Sequence, residues 1–238
     1  PGLGQAYLGL RWEGLWTDVN GRTMTQVRNR SSVVSPVAQL LWKLPDSEKD
    51  QIRLALSRSY KAPATRLLVP RRYTVNNGNS PTNPDVRGNP ELRPELAWGL
   101  DGGYEHYFGK GGVASISAYM RRVEGVIVNE VDPLIRPWLS SPSNKGNARV
   151  AGIESDTRFS PRPNLDLRAN FGYNWSRLDA VPGPDNRLAE QVAITSNLGV
   201  DYRPAPALAV GMNLNLQFAG PQRISQAHVR PQCGDEKT

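Results

Sequence analysis

The sequence of 238 residues is too polar for a helical membrane protein: hydrophobic residues make up 38%, the mean hydropathy is −0.51, and no run of about 18 apolar residues occurs. The single cysteine, Cys233, excludes an internal disulfide framework. The two histidines, His106 and His228, lie too far apart for the usual zinc spacing. Glycine and proline cluster between periodic segments, which predicts many strands and turns rather than long helices.

The net charge is +7 and is carried mainly by arginine. A basic balance is compatible with nucleic acid, an anionic membrane surface or an acidic ligand. Here the arginines are scattered about one per segment, and no DNA- or RNA-binding signature occurs. The sequence therefore predicts no basic stripe and no nucleic-acid partner.

Alternation of apolar and polar residues with a period of two is the strongest signal in the chain, and it indicates strands with two different faces. It recurs in about nine segments: 8–16, 33–44 (less regular), 52–57, 96–105, 114–121, 151–159, 165–176, 192–202 and 208–218. Several of these segments have ten or more residues. Soluble strands usually have about 5–6 residues, whereas a tilted membrane-spanning strand needs about 9–11. The pattern predicts a transmembrane β-barrel, whose alternation hides its apolar face from an average hydropathy.

The connections alternate between short and long, as they do between the periplasmic turns and extracellular loops of outer-membrane barrels. The short connections are predicted at 45–50, 108–112, 160–164 and 203–207, and the long ones at about 18–33, 61–94, 131–147 and 180–189. This phasing predicts that the strands near 51–60, 113–130, 165–179 and 208–219 run outward. It predicts that those near 34–44, 95–107, 148–159 and 190–202 run inward.

Four stretches resemble elements of the TonB-dependent receptor family, in the family's order: RLALSRSYKAP at 53–63, GNPELRPE at 88–95, YMRRVEGVIV at 119–128 and GNARVAGIESDTRFSP at 146–161. The resemblance covers roughly residues 4–220. The matching motif residues are Tyr60, Lys61, Ala62, Pro63, Asn89, Pro90, Leu92, Pro94, Glu95, Gly152 and Glu154. Proline fixes φ and cannot donate to a β-ladder, so we expect these residues to shape the barrel rim rather than to bind ligand.

The resemblance implies an all-β fold, an antiparallel transmembrane β-barrel present in part. About nine strands are predicted, whereas the family's barrels have about 22. We expect residues 1–219 to form this partial barrel and residues 220–238 to form an irregular tail, with a truncated or frame-disrupted end. The family's plug domain and TonB box do not lie in this sequence. Because an open sheet leaves unpaired edges in hydrocarbon, we expect no working barrel from these strands alone.

By resemblance, the function is that of an outer-membrane receptor for TonB-dependent uptake of a scarce nutrient such as a ferric siderophore. The implied partners are outer-membrane lipid and lipopolysaccharide, the TonB complex acting through a plug domain, and an iron chelate or a similar small ligand. The predicted localisation is the bacterial outer membrane. Two alternatives stay open: a passive porin or structural barrel, and a soluble all-β binding module.

The sequence contains no catalytic motif, and GKGG at 109–112 falls in a predicted tight turn rather than in a phosphate-binding loop. We predict no enzyme activity, no cofactor and no resident metal. A cluster in loop 61–94 could instead hold an anionic ferric chelate by charge-assisted hydrogen bonds. Its members are Arg66, Arg71, Arg72, Tyr73 and Arg87. The alternative for these residues is that they are solvated or contact lipopolysaccharide phosphates.

Overall fold

The computed structural model is all-β and describes residues 4–21, 24–45, 49–108, 111–179, 186–188, 191–205, 207–218, 222–223 and 235–236. In chain order its elements are β1 (Gly4–Gly21), β2 (Met24–Lys43), β3 (Asp50–Lys61), α1 (Thr65–Leu68), β4 (Arg72–Tyr73), β5 (Asp85–Arg87), β6 (Glu95–Phe108), β7 (Gly112–Glu124), β8 (Ile127–Val131), β9 (Leu139–Asn144), β10 (Asn147–Arg162), β11 (Leu165–Leu178), β12 (Ile194–Ala205), β13 (Leu208–Phe218), β14 (Gln222–Arg223) and β15 (Asp235–Glu236). Among the described residues, no helix is long and apolar enough to cross a membrane.

Nine long strands form one antiparallel sheet in the order β1-β2-β3-β6-β7-β10-β11-β12-β13. Each strand pairs with the next long strand in the sequence, so the sheet is a continuous meander of hairpins. This topology confirms the predicted partial antiparallel barrel with nine strands. Among the described residues, β1 and β13 each have one neighbour in the sheet, and their other edges are open.

Two predicted boundaries are wrong. The long loop expected at 18–33 is mostly strand, because β1 continues to Gly21 and β2 begins at Met24. The outward strand expected at 113–130 ends at Glu124, and its last residues join a different sheet as β8. The alternation is lost in the loop-side part of the β1–β2 hairpin, but the backbone ladder continues there to Gly21 and Met24. The periodic pattern therefore marks the apolar band and not the whole strand.

The register gives the nine-stranded sheet one apolar face, which we call the outer face. Direct partners in an antiparallel pair project to the same side. One such row across five strands is Leu56, Leu100, Met120, Ala151 and Trp175. Leu100 is 50% exposed and Met120 60% exposed. An exposed apolar surface running from strand to strand is expected where a protein contacts lipid rather than water.

The opposite side of the sheet, which we call the inner face, is polar. The neighbouring row on this side is Ala55, Asp101, Tyr119, Gly152 and Asn174. A wet lumen favours such a mixture of small, polar and charged side chains. The two faces follow directly from the period of two in the sequence.

The loops between the long strands form a second sheet, which we call the loop sheet. It has the order β4-β5-β9-β8 and is built from the connections 62–94 and 125–146. A buried cluster joins it to the long strands: Val126 and Val128 pack with Ala148 and Leu178. The latter two belong to the inner face at the loop end of β10 and β11. The loop sheet therefore packs against the inner face of the long strands at their loop end.

We expect a cationic residue at the lipid-facing position Phe171 to be far more destabilising than one at its neighbour Asn170. Phe171 lies on the outer face of β11 and is 45% exposed, whereas Asn170 lines a cavity of about 360 Å³ on the inner face. An arginine at the bilayer midplane costs about 2–4 kcal/mol. Folding equilibria of Phe171→Arg and Asn170→Arg in lipid vesicles measure the difference. Equal costs for the two variants would contradict the assignment of the faces.

Candidate functional site

A cavity of about 1030 Å³ lies along the inner face of six strands, β1, β2, β3, β6, β7 and β10. Its charged lining side chains are Arg53, Asp101, Glu105, Arg121 and Glu154. These positions fall on the inner face because they alternate with the outer-face positions along each strand. The cavity is therefore a polar trough running across the wall, suited to water and polar ligands rather than to lipid.

Ion pairs across neighbouring strands fix the charged side chains of this trough. Nε of Arg53 lies 2.8 Å from a carboxylate oxygen of Glu105. Nη2 of Arg121 lies 2.9 Å from a carboxylate oxygen of Asp101. Each pair joins adjacent strands, β3 with β6 and β6 with β7. The charges of these two pairs balance, and Glu154 adds one acidic charge to the lining of the trough.

Asp85 joins the two halves of the loop sheet, and its side chain is only 6% exposed. It accepts hydrogen bonds from Nε of Arg72 at 2.8 Å, from the backbone amide of Val75 at 3.1 Å and from Nδ2 of Asn79 at 3.1 Å. The same Asn79 amide group donates to the carbonyl oxygen of Trp138 in the other loop at 2.8 Å. One buried carboxylate therefore orders loop 62–94 and brings it against loop 125–146.

The pKa of the Asp85 carboxyl lies below its ordinary value. The hydrogen bond from the Val75 amide is the largest cause; desolvation opposes the shift, and the bonds from Arg72 and Asn79 add to it. The ionised form is therefore the one that the folded loop stabilises.

The motif stretch 88–95 is held by amide side chains on two sides. Nδ2 of Asn89 donates to the Pro142 carbonyl oxygen at 3.1 Å. Nδ2 of Asn29, on β2, donates to the carbonyl oxygens of Pro90 at 2.7 Å and Leu92 at 2.9 Å. The Leu92 side chain is 1% exposed. These contacts connect the stretch to β2 on one side and to β9 on the other.

Other motif residues lie where β3 ends and β6 begins: Tyr60, Lys61, Ala62, Pro63, Pro94 and Glu95. Glu95 accepts a hydrogen bond from the Ile127 amide at 2.7 Å and lies 3.7 Å from Nζ of Lys61. Its carboxylate thus meets the first residue of β8 and the last residue of β3. The end of one hairpin and the start of the loop sheet are held together there.

Gly152 and Glu154 lie on the inner face of β10. A Cβ at Gly152 would lie 2.6 Å from the Tyr119 ring, so glycine leaves room for that ring. The Tyr119 hydroxyl donates to Oδ1 of Asn174 at 2.5 Å. Glu154 lines the trough.

The residues predicted for ligand binding lie on or next to the loop sheet, but they do not form one cluster of unengaged cations. Arg72 pairs with buried Asp85 at 2.8 Å, so its guanidinium group is already engaged within the loop. Arg71 lies 5.5 Å from the centroid of the Tyr73 ring, in cation–π range. Arg66, on α1, and Arg87, on β5, are exposed. Ligand binding by these residues stays a prediction.

Several residues that order the loops were not found from the sequence: Asn29, Asn79, Asp85 and Asn144. The Asn144 side chain accepts a hydrogen bond from the Arg93 amide at 2.8 Å and donates to the Gly125 carbonyl oxygen at 2.7 Å. Asn and Asp are common in turns, so their presence in loops gave no sign of these long-range partners. Their role depends on loop packing, which no local pattern encodes.

We expect Gly88→Ala to disrupt the loop sheet. The added Cβ would lie 2.2 Å from the Val69 carbonyl oxygen and 2.7 Å from that of Leu67, and backbone atoms cannot move away independently. Overpacking of this kind costs about 1–3 kcal/mol. The control is Gly78→Ala in the same loop, where the added Cβ meets nothing within 4 Å. Limited proteolysis of the folded protein measures both, and equal cleavage rates would contradict the expectation.

The stabilisation by Asp85 should depend on pH. Because its pKa is lowered on folding, its contribution is complete above the ordinary carboxyl pKa of about 3.9 and is lost as the pH falls below that value. The melting temperature of Asp85→Asn should therefore lie below that of the wild type at neutral pH, and the gap should close in acid. Thermal melts followed by near-UV circular dichroism test this, and a gap independent of pH would rule out the carboxylate as its cause.

Comparisons with known proteins agree with this architecture. Residues 5–229 match the family model described as "TonB dependent receptor-like, beta-barrel". No curated protein matches the sequence. Among solved structures, the FrpB iron transporter from Neisseria meningitidis is similar with a TM-score of 0.66 and 14% identity, over 98% of this chain and 34% of that chain.

Two further solved structures share the fold. The siderophore receptor PirA from Pseudomonas aeruginosa has a TM-score of 0.59 and 16% identity, over 88% of this chain and 37% of that chain. The copper transporter OprC has a TM-score of 0.67 and 18% identity, over 92% of this chain and 33% of that chain. The chain thus spans about a third of the length of these structures, and identities this low establish the fold alone.

The family match extends over almost the whole chain, and the nine-stranded sheet with its lipid-facing outer side has the architecture that the family model describes. The family is one of transport receptors rather than enzymes. The chain therefore belongs to the TonB-dependent receptor β-barrel family, whose members lie in the bacterial outer membrane.

Proposed function

We propose that this protein takes part in TonB-dependent uptake of a scarce nutrient, and that the nutrient arrives as an anionic metal chelate such as a ferric siderophore. The observation that carries the proposal is a basic loop sheet packed against the loop end of a polar inner wall. Similar structures bear the names siderophore receptor, iron transporter and copper transporter. All three names concern metals or their carriers, which supports a metal-bearing ligand here.

The charge of loop 62–94 supports an anionic ligand. The loop contains five arginines and two acids, Asp85 and Glu91. Asp85 is neutralised by Arg72 inside the loop, so exposed positive charge remains on the other arginines. Arginine presents a planar fork of donors that fits carboxylate and catecholate oxygens. An anionic chelate would meet these groups first as it approached from outside.

The inner wall supports a path beyond the loops. Its trough of about 1030 Å³ is lined by polar and charged groups whose ion pairs balance one another. A hydrated anionic ligand released from the loop sheet would therefore meet, among the described lining residues, only arginines that are already paired with acids and would not trap it. Movement through the barrel would be energised by TonB acting on a plug domain, as membership of the family implies.

A passive porin is the alternative function, and the loop geometry disfavours it. The contacts of Val126 and Val128 with the inner face bring the loop sheet over the loop end of the wall. Asn29 extends these contacts to β2. A passive pore needs an open mouth, whereas these loops are folded and anchored. Such loops fit a receptor that selects its ligand.

We expect Arg71→Gln/Arg87→Gln to bind an anionic ferric catecholate at least about tenfold more weakly than the wild type, since a hydrogen bond to a charged group contributes about 1.5–3 kcal/mol. A neutral ferric hydroxamate should bind both proteins alike. Fluorescence quenching of the detergent-solubilised protein gives the dissociation constants.

The matched control is Arg162→Gln/Arg203→Gln, which removes the same charge at the turn end of the wall, where both residues are exposed. This control should bind like the wild type. If the loop variant also binds like the wild type, or if the control weakens binding equally, the loop arginines are not the ligand site.

A further inference from the structure

Three arginines that are far apart in the sequence lie side by side on the outer face. Arg122 on β7 is the direct partner of Arg149 on β10, and Arg149 is the direct partner of Arg177 on β11. We call these three residues the arginine row. The expectation that the arginines form no basic stripe is wrong at this place, because the register aligns one arginine from each of three strands.

The row is electrostatically unfavourable on its own. Direct cross-strand partners have Cβ atoms about 4.5–5.5 Å apart, and like charges at this distance destabilise a sheet. Arg122 has one acidic neighbour, Glu124, at 3.6 Å, but this pair is well exposed and such pairs contribute little. In the described part of the chain, the side chains of Arg149 and Arg177 have no hydrogen-bond or ion-pair partner. A counter-anion from outside the chain would remove this repulsion.

The position of the row indicates the kind of anion. On the turn side, the next outer-face residues are Met120, Ala151 and Trp175, which belong to the exposed apolar band. On the other side, the strands lead into the long connections, which in outer-membrane barrels are the extracellular loops. The row thus lies at the boundary between the apolar band and the extracellular end. An anion bound there would also have apolar groups against the band.

We propose that the arginine row binds the phosphate groups of lipopolysaccharide in the outer leaflet, while the acyl chains of that lipid lie against the apolar band below. Guanidinium groups bind phosphate oxygens in pairs of hydrogen bonds. A glycolipid with several phosphates matches a row of several cations better than a zwitterionic lipid does. The site is separate from the loop arginines of the proposed nutrient receptor, because it lies on the outside of the wall.

The dimensions fit such a headgroup. Neighbouring strands lie about 4.8 Å apart, and a barrel strand tilted by about 40° shifts each step along the row by about 3 Å in height. Three arginines therefore cover about 10 Å along the surface and about 6 Å in depth. Beside the row, Trp98 is the direct partner of Arg122 and is 43% exposed. An aromatic ring of this kind is typical of the membrane interface.

The experiment titrates diphosphoryl lipid A into the protein in detergent micelles and counts bound lipid by native mass spectrometry. The variant is Arg122→Gln/Arg149→Gln/Arg177→Gln. We expect lipid A to bind about fivefold more weakly for each arginine removed, following the usual attraction of a basic residue to an anionic lipid surface. Lipid A without phosphates should bind the wild type as weakly as diphosphoryl lipid A binds the variant.

Two controls separate this site from general effects. Lys43→Gln/Arg162→Gln/Arg203→Gln removes the same charge from exposed positions at the turn end, and it should bind lipid A like the wild type. The variant Arg122→Lys/Arg149→Lys/Arg177→Lys keeps the charge, and it should bind lipid A more tightly than the glutamine variant does. Heat-modified gel mobility checks that each variant is folded.

Several results would overturn the proposal. Unchanged lipid A binding by the glutamine variant would show that the row is not the site. An equal loss in the turn-end control would show a general charge effect. Displacement of lipid A by inorganic phosphate at matched concentration would show a site for a soluble anion rather than for a lipid.

Discussion

Backbone hydrogen bonding in a hydrocarbon layer is the constraint on which the rest of this structure depends. Lipid offers no partner to an amide or a carbonyl group, so each must be paired with a neighbouring strand. The nine long strands meet this demand within the sheet as a meander of antiparallel hairpins, except at the outer edges of β1 and β13. Once neighbouring strands are paired throughout, their register is set. A slip by one residue would exchange the lipid-facing and lumen-facing side chains of a whole strand.

The fixed register has consequences on both faces. On the inner face it brings Arg53 to Glu105 and Arg121 to Asp101, which forms two ion pairs along the trough. On the outer face it brings three arginines together at the upper boundary of the apolar band. The same ladder thus produces cross-strand ion pairs on the inner face and a row of like charges on the outer face. The difference follows from the face on which each residue falls in the alternation.

Much of the wall was predictable from the sequence, because the period of two directly reports a strand between lipid and water. The alternation in 165–176 corresponds to β11 within two residues at either end. Prediction failed at 18–33, where the two-residue period disappears although the backbone ladder of β1 and β2 continues. The prediction also failed for β8, whose residues the phasing assigns to the end of an outward strand. Its partner strand β9 lies in the same loop, and the pairing of the two strands identifies them where alternation does not.

The candidate site was less predictable than the wall. Loop arginines such as Arg71 and Arg87 stand out in the sequence, but the ion pair of Arg72 with Asp85 does not, since the two residues are thirteen positions apart. The contacts of Asn29 could not be predicted for a similar reason, because its partners Pro90 and Leu92 lie 61 and 63 positions away in the sequence. The arginine row needed the register of three strands at once. Composition shows how many charges exist, and only the pairing of strands shows which of them meet.

The hairpin of β1 and β2 is longer than a bilayer requires. Its strands have 18 and 20 residues, and at about 3.3 Å per residue each strand is about 60 Å long, roughly twice the hydrocarbon thickness. The excess lies at the loop end, since Val34 and Trp12 still face outward from the apolar band while the paired ladder continues to Gly21 and Met24. The paired ladder of this hairpin therefore continues beyond the membrane on the loop side, where Asn29 of β2 holds the loop stretch 88–95 through Pro90 and Leu92.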